Sequence, residues 1–355
     1  MLKGLTLSYK YLTLFLLLFI FSCSSNSEST EDNSPTLNDD KPCTSDSNDC
    51  IEKLIINSEG NHFSFYSNYD FVSKSNKKWA KIKSVIFLIH GVSRTAGPYF
   101  SYMNNSISNL NKQDETLIIS MHFKDNLSAS TNELFWNTSS WREGADSDNQ
   151  NINISSFKMI DEVINKIKNQ GNFPSLKNIV ITGHSSGGTY AHLYAISGKS
   201  ETTSSSYNFQ YIIANSQYYC YPDSKRYDSN TNSFYSPSTC NGISNWPYGY
   251  SNIINYSKNS SESILKENQI KRRTIYLQGE EDTSTTGTLN TKDCEAILLG
   301  ENRNKRSLYI QKYFEEYYKS THNHKRLIVQ QVGHNANDIY NSSTFKNHLS
   351  SSIYQ

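Results

Sequence analysis

The sequence predicts an α/β fold: a mostly parallel central sheet of about eight strands, with helices on both faces. Three observations carry this. Ser84–His90 (SVIFLIH), Thr116–Phe123 (TLIISMHF) and Asn178–Gly183 (NIVITG) are short continuous apolar runs, as strands buried on both sides are. A helical pattern separates them: in Ser156–Asn169, Phe157, Ile160, Ile164 and Ile167 fall on one face. The chain then keeps alternating strand with helix almost to its end.

In order, Ile51–Ser58 and His62–Phe71 read as a hairpin turning at Glu59-Gly60-Asn61. The three buried strands follow, with the Ser156–Asn169 helix before the third and Pro174 closing that connection. Ser186–Gly198 is predicted as a helix that leaves the third buried strand directly. Gln210–Ser216, Arg273–Gly279 and Lys325–Val332 complete the strands. Asn302–Ser320 and Ala336–Ser351 are the later helices. One stretch breaks the alternation. Residues 217–270 are rich in tyrosine, carry Trp246, and end in a possible short helix. Such an insertion between two strands is either a cap over a site or a surface loop packed as satellite core.

With 355 residues, 36% hydrophobic and 19% charged, the chain can bury a large core. A net charge of +1 gives no support to a nucleic-acid partner, which would need a basic face. No His, Asp, Glu or Cys cluster has metal-ligand spacing, so no metal or other cofactor is expected. The chain is expected to act as a monomer.

The N-terminus reads as an export signal. Lys3 and Lys10 precede the apolar run Tyr11–Phe21, which is too short to span a membrane comfortably. It ends in Ile20-Phe21-Ser22-Cys23. This resembles the lipobox of bacterial lipoproteins, although Phe21 is bulkier than the usual occupant. The resemblance implies cleavage of residues 1–22 and a lipid on Cys23. A membrane at the bacterial cell envelope would then be one partner; full secretion is the alternative. Residues 23–50, polar and without periodicity, are expected to be a disordered tether. Residues 51–355 would form the folded domain. Export permits disulfides. Cys43–Cys50 and Cys220–Cys240 are the expected pairs, leaving Cys294 over, although spacing alone does not fix connectivity.

The chemistry centres on Gly183-His184-Ser185-Ser186-Gly187, a G-x-S-x-G between a buried strand and a helix. A turn this tight leaves no room for side chains at the two glycines. It lifts the Ser185 hydroxyl above the carboxyl edge of the sheet. A serine hydroxyl needs a base within reach, and the base needs a carboxylate to hold its tautomer. Gly333-His334-Asn335 follows the last strand at that same edge. His192 and His348 fall inside helices, and His322 and His324 lie at the opposite end of the sheet. His184 is adjacent to the serine but points away from it. The chain after Arg273–Gly279 reads Glu280-Glu281-Asp282.

These motifs, in this order, resemble the α/β-hydrolase family from about residue 51 to the end of the chain. The resemblance implies Ser185 as nucleophile, His334 as base and Asp282 as acid, with Glu280 and Glu281 the nearby alternatives. It also implies an oxyanion hole formed by the backbone N–H groups of Ser186 and of Val92, the latter in His90-Gly91-Val92-Ser93. Trp136 and Trp141, in the loop after Thr116–Phe123, and Trp246 are candidate substrate-lining residues or packing residues. The implied activity is hydrolysis of an ester-containing substrate. Peptide or amide cleavage by the same residues, or binding without catalysis through the aromatic loops, are the alternatives.

Overall fold

The computed structural model describes residues 41–287, 289 and 292–355. The expected signal peptide, the lipidation site at Cys23 and the tether up to residue 40 lie outside the described residues. Among the described residues no helix is long and apolar enough to cross a membrane.

Strands β1 (Ile51–Ile55) and β2 (His62–Ser67) form the predicted hairpin, followed by β3 (Ser84–Ile89), α1 (Ala96–Asn109) and β4 (Thr116–Met121). Then come α2 (Ser156–Gln170), β5 (Asn178–His184), α3 (Ser186–Ser197), the short α4 (Ser200–Thr203) and β6 (Asn208–Ala214). The insertion holds a two-stranded ribbon, β7 (Arg226–Asp228) and β8 (Ser233–Tyr235), and α5 (Glu262–Lys271). The chain closes with β9 (Thr274–Gly279), α6 (Cys294–Ile297), α7 (Arg303–Tyr317), β10 (His324–Val329), α8 (Ala336–Asn341) and α9 (Ser343–Ser352). The main sheet has eight strands in the order β1-β2-β4-β3-β5-β6-β9-β10. β2 pairs antiparallel with β1 and with β4; from β4 to β10 every pairing in this sheet is parallel.

The apolar runs work because both sheet faces are covered. In β3, Val85, Phe87 and Ile89 join the core on one face, and Ile86 and Leu88 the core on the other. The first face is closed by α2, α3, α5 and α7, through residues such as Phe157, Tyr190, Leu265 and Phe314. The second is closed by α1, α8 and α9, through Phe100, Met103, Tyr340 and Phe345. Each such side chain contributes roughly 1.5–3 kcal/mol by leaving water.

Helix α1 has no counterpart among the predicted helices. Asn104, Asn105, Ser106 and Ser108 are weak helix formers, and the segment is helical because Tyr99, Phe100, Met103 and Ile107 are buried along one side. The single helix expected over Ala336–Ser351 is two. Ser342 is extended (ψ 152°) and its hydroxyl accepts from Phe345 N–H, capping a new helix.

Two further expectations change. Residues 43–50 are not a free tether: Cys43 N–H donates to Asn68 O, and Cys50 is buried and bridged to Cys43. Cys220 does not pair with Cys240. Cys240 pairs with Cys294, and Cys220 is a buried free thiol. Its backbone N–H donates to His192 Nε2, which seats it against α3 and leaves Cys240 to the cysteine of α6.

Candidate active site

Strand β5 runs into α3 through one residue, Ser185, at φ 59° and ψ −116°. That conformation is costly for a residue with a Cβ and persists only where the surroundings enforce it. They do so by backbone contact. A Cβ on Gly183 would lie 2.2 Å from Gly187 O, and one on Gly187 would lie 2.2 Å from Ile89 O. Ser185 N–H donates to Ala214 O, which ties the turn to the end of β6.

Three loops at this edge bring the predicted residues together. Ser185 Oγ lies 3.0 Å from His334 Nε2, and His334 Nδ1 lies 2.7 Å from Asp282 Oδ2. Asp282 is 2% exposed, whereas Glu280 and Glu281 project into solvent. This chain of contacts can carry a proton from the hydroxyl to the imidazole while the carboxylate holds the ring. The serine opens onto a pocket of about 360 Å³ lined by Gly91, Val92, Tyr99, Tyr102, His334 and Ala336, among others. Val92 therefore stands beside the serine. Ser186 begins α3, so its N–H sits where the helix N-terminus favours negative charge. Its hydroxyl is engaged elsewhere, accepting from Arg142 Nη1 at 3.3 Å and donating to Gln217 Oε1 at 3.5 Å.

The surrounding histidines are structural. His90 is fully buried; Phe123 N–H donates to its Nε2, so Nδ1 carries the proton and donates to Gly91 O. Burial pushes its pKa down to about 3. It thereby fixes the start of the 91–94 loop. His184 accepts from Asn215 Nδ2 at Nε2 and meets the Tyr99 hydroxyl at Nδ1. Burial, then His334 and Arg303, holds its pKa well below the ordinary value, so it stays neutral beside the His334 ring. His192 and His324 are likewise pushed down to about 3 by burial.

Trp136 and Trp141 are packing residues, each 1% exposed. Trp141 stacks on Phe123, and Trp136 Nε1–H donates to Ala145 O. Both belong to the buried core, and neither lines the pocket. Trp246 is half-buried, donating to Glu143 O, and is not in the pocket wall. Most tyrosines of the 217–270 insertion are also core: Tyr218, Tyr219 and Tyr221 are buried, whereas Tyr235 is exposed, and no residue of the insertion lines this pocket.

Two organising residues escaped the sequence reading. Arg94, at φ 55°, donates to Phe123 O, Trp136 O and Thr138 O, clamping the Val92 loop to its neighbour. Asn215, at φ 45°, accepts from Gly279 N–H and donates to Gly333 O and His184 Nε2. It joins the ends of β5 and β9 to the loop that carries His334. The available signal was an Asn at a strand end, which tolerates the left-handed conformation.

No protein-family model matches the chain, and no curated protein matches it. Solved structures do. The poly(3-hydroxybutyrate) depolymerase LpqC from Bordetella parapertussis is similar over 82% of this chain and 86% of its own, with 16% identity and a TM-score of 0.58. Poly(aspartic acid) hydrolase-1 from Sphingomonas sp. KT-1 is similar over 86% of this chain and 98% of its own, with 15% identity and a TM-score of 0.58. The chain has the α/β-hydrolase fold.

Proposed function

We propose that this protein is a serine hydrolase that cleaves a carboxylic ester through an acyl-enzyme on Ser185. The observation that carries the reading is the run of contacts from Ser185 Oγ to His334 to Asp282, assembled from three loops. Oγ attacks the carbonyl carbon as its proton passes to His334 Nε2. The oxyanion takes hydrogen bonds from the N–H groups of Ser186 and Val92, each worth about 3 kcal/mol to such a transition state. The imidazolium gives its proton to the leaving alcohol, the C–O bond breaks, and water repeats the sequence in reverse to release the acid. Asp282 holds the ring and balances the imidazolium without taking the proton.

The neighbours' names, a polyester depolymerase and a poly(aspartic acid) hydrolase, agree with acyl transfer and name different polymers. Cleavage of an amide by the same residues is therefore the second reading. Ser185→Ala should lower turnover of p-nitrophenyl butyrate by at least about 1,000-fold and abolish fluorophosphonate labelling, with melting unchanged. Undiminished turnover would sink the assignment. Side-by-side assays on short acyl esters and peptide amides separate the two readings, with amide preference defeating the ester one.

A further inference from the structure

Resting on that reading, we propose that Arg303 is a positioning residue for the reaction: its buried guanidinium keeps Asp282 and His334 from taking up a proton and so sets how far into acid the enzyme works.

The geometry is a line of three groups. Asp282 has one carboxylate oxygen for each neighbour. Oδ2 meets His334 Nδ1, and Oδ1, which receives no hydrogen bond among the described residues, faces Arg303 Nη1 at 3.7 Å. Side-chain exposure is 2% for Arg303 and 1% for Asp282, so water screens this pair little. The placement is built into the chain. Arg303 opens α7 directly after the cap residue Asn302, whose side chain accepts from Lys305 N–H. The same helix turn grips the acid loop, since Asn304 N–H donates to Asp282 O and Asn304 Nδ2 donates to Glu280 O. One helix start thus carries the guanidinium and holds the main chain of the carboxylate's loop.

The direction of the effect follows without dividing the pair. The active form has an ionised Asp282 and a neutral His334. Whichever of the two accepts a proton, the pair gains one positive charge beside a fixed cation. Arg303 therefore disfavours both inactive forms. The other groups around the pair do not cancel it. His184, from the end of β5, is neutral. Tyr219, from the loop after β6, is a buried phenol whose pKa burial raises, so it is neutral too. Arg306 of α7 and Arg326 of β10 lie within electrostatic reach of that phenol and add positive potential. Glu280 and Glu281 are exposed, and Glu280 is bound to Gln331 N–H.

The test is the pH profile of kcat/KM for p-nitrophenyl butyrate in wild type, Arg303→Gln, Arg303→Met and Arg303→Lys, each first checked by thermal melting. Both neutral variants should move the acid-limb midpoint to higher pH by about one unit or more, while Arg303→Lys keeps it near the wild-type value. A purely structural role would lower kcat/KM by one factor at every pH and leave the midpoint in place. That result, or a midpoint moving to lower pH, overturns the proposal. If neither neutral variant folds, Arg303→Ala with added guanidinium ion decides: a midpoint that falls as guanidinium is added supports the charge account, and one that guanidinium leaves in place overturns it. A wild type without hydrolysis or fluorophosphonate labelling would overturn the proposed function itself, and this inference with it. An active wild type with unmoved variant midpoints overturns this inference alone.

Discussion

Two segments leave neighbouring strands at the same sheet edge and are built in opposite ways. At the end of β5, residues 183–188 turn by pressing backbone on backbone, so that a Cβ on Gly188 would lie only 2.5 Å from Ala214 O. At the end of β6, the tyrosine-rich insertion packs ring on ring. Tyr218 lies against Tyr248 and Tyr221 against Tyr313, each with centroids 5.1 Å apart, and Arg226 sits 4.4 Å over the Tyr221 ring. Contact between main chains admits one residue type. Contact between rings admits several arrangements, because a ring can slide or tilt and still bury its area. The first segment is accordingly specified residue by residue, and the second only in bulk.

Substitutions sharpen the contrast. Gly187→Ala puts a methyl into the Ile89 carbonyl and must displace Ser185; kcat/KM for p-nitrophenyl butyrate should fall at least about 100-fold. Near-normal kinetics would show that the turn can relax. In the insertion, Cys240→Ser with Cys294→Ser opens a crosslink spanning 54 residues and should cost about 2–4 kcal/mol in denaturant unfolding, with kcat/KM within about two-fold of wild type. A large kinetic loss would mean that the insertion shapes the site after all. The smallest change is expected from Tyr221→Phe. Its buried hydroxyl has no hydrogen-bond partner among the described residues, so stability should stay within about 1 kcal/mol of wild type or rise. A melting loss matching several kcal/mol would reveal a bond to that oxygen.

The same distinction explains what could be read from the sequence. The strands and the Ser185, His334 and Asp282 positions were legible because each follows from short-range rules: apolar runs, a glycine-framed turn, and residues just past strand ends. The partner of Cys240 and the fate of Trp136 and Trp141 depend on where loops come to rest after the sheet has formed, which no local pattern encodes. Helix α1 was hidden for a related reason, since burial of its four large side chains overrides the weak propensity of its asparagines and serines. Arg303 carries no local signal at all; its meaning exists only in the 3.7 Å approach to Asp282.

Asn215 gives these loops a common datum. One carboxamide measures the offset between the ends of β5 and β9 and the chain leading to His334, using its carbonyl for one and its amine for the other two. Whatever lies farther out along those loops can lengthen, shorten or change character without altering the spacing of Ser185, His334 and Asp282. The solvent-side walls of the pocket are thus free to be retailored to a different ligand, while the alignment beneath them stays as it is.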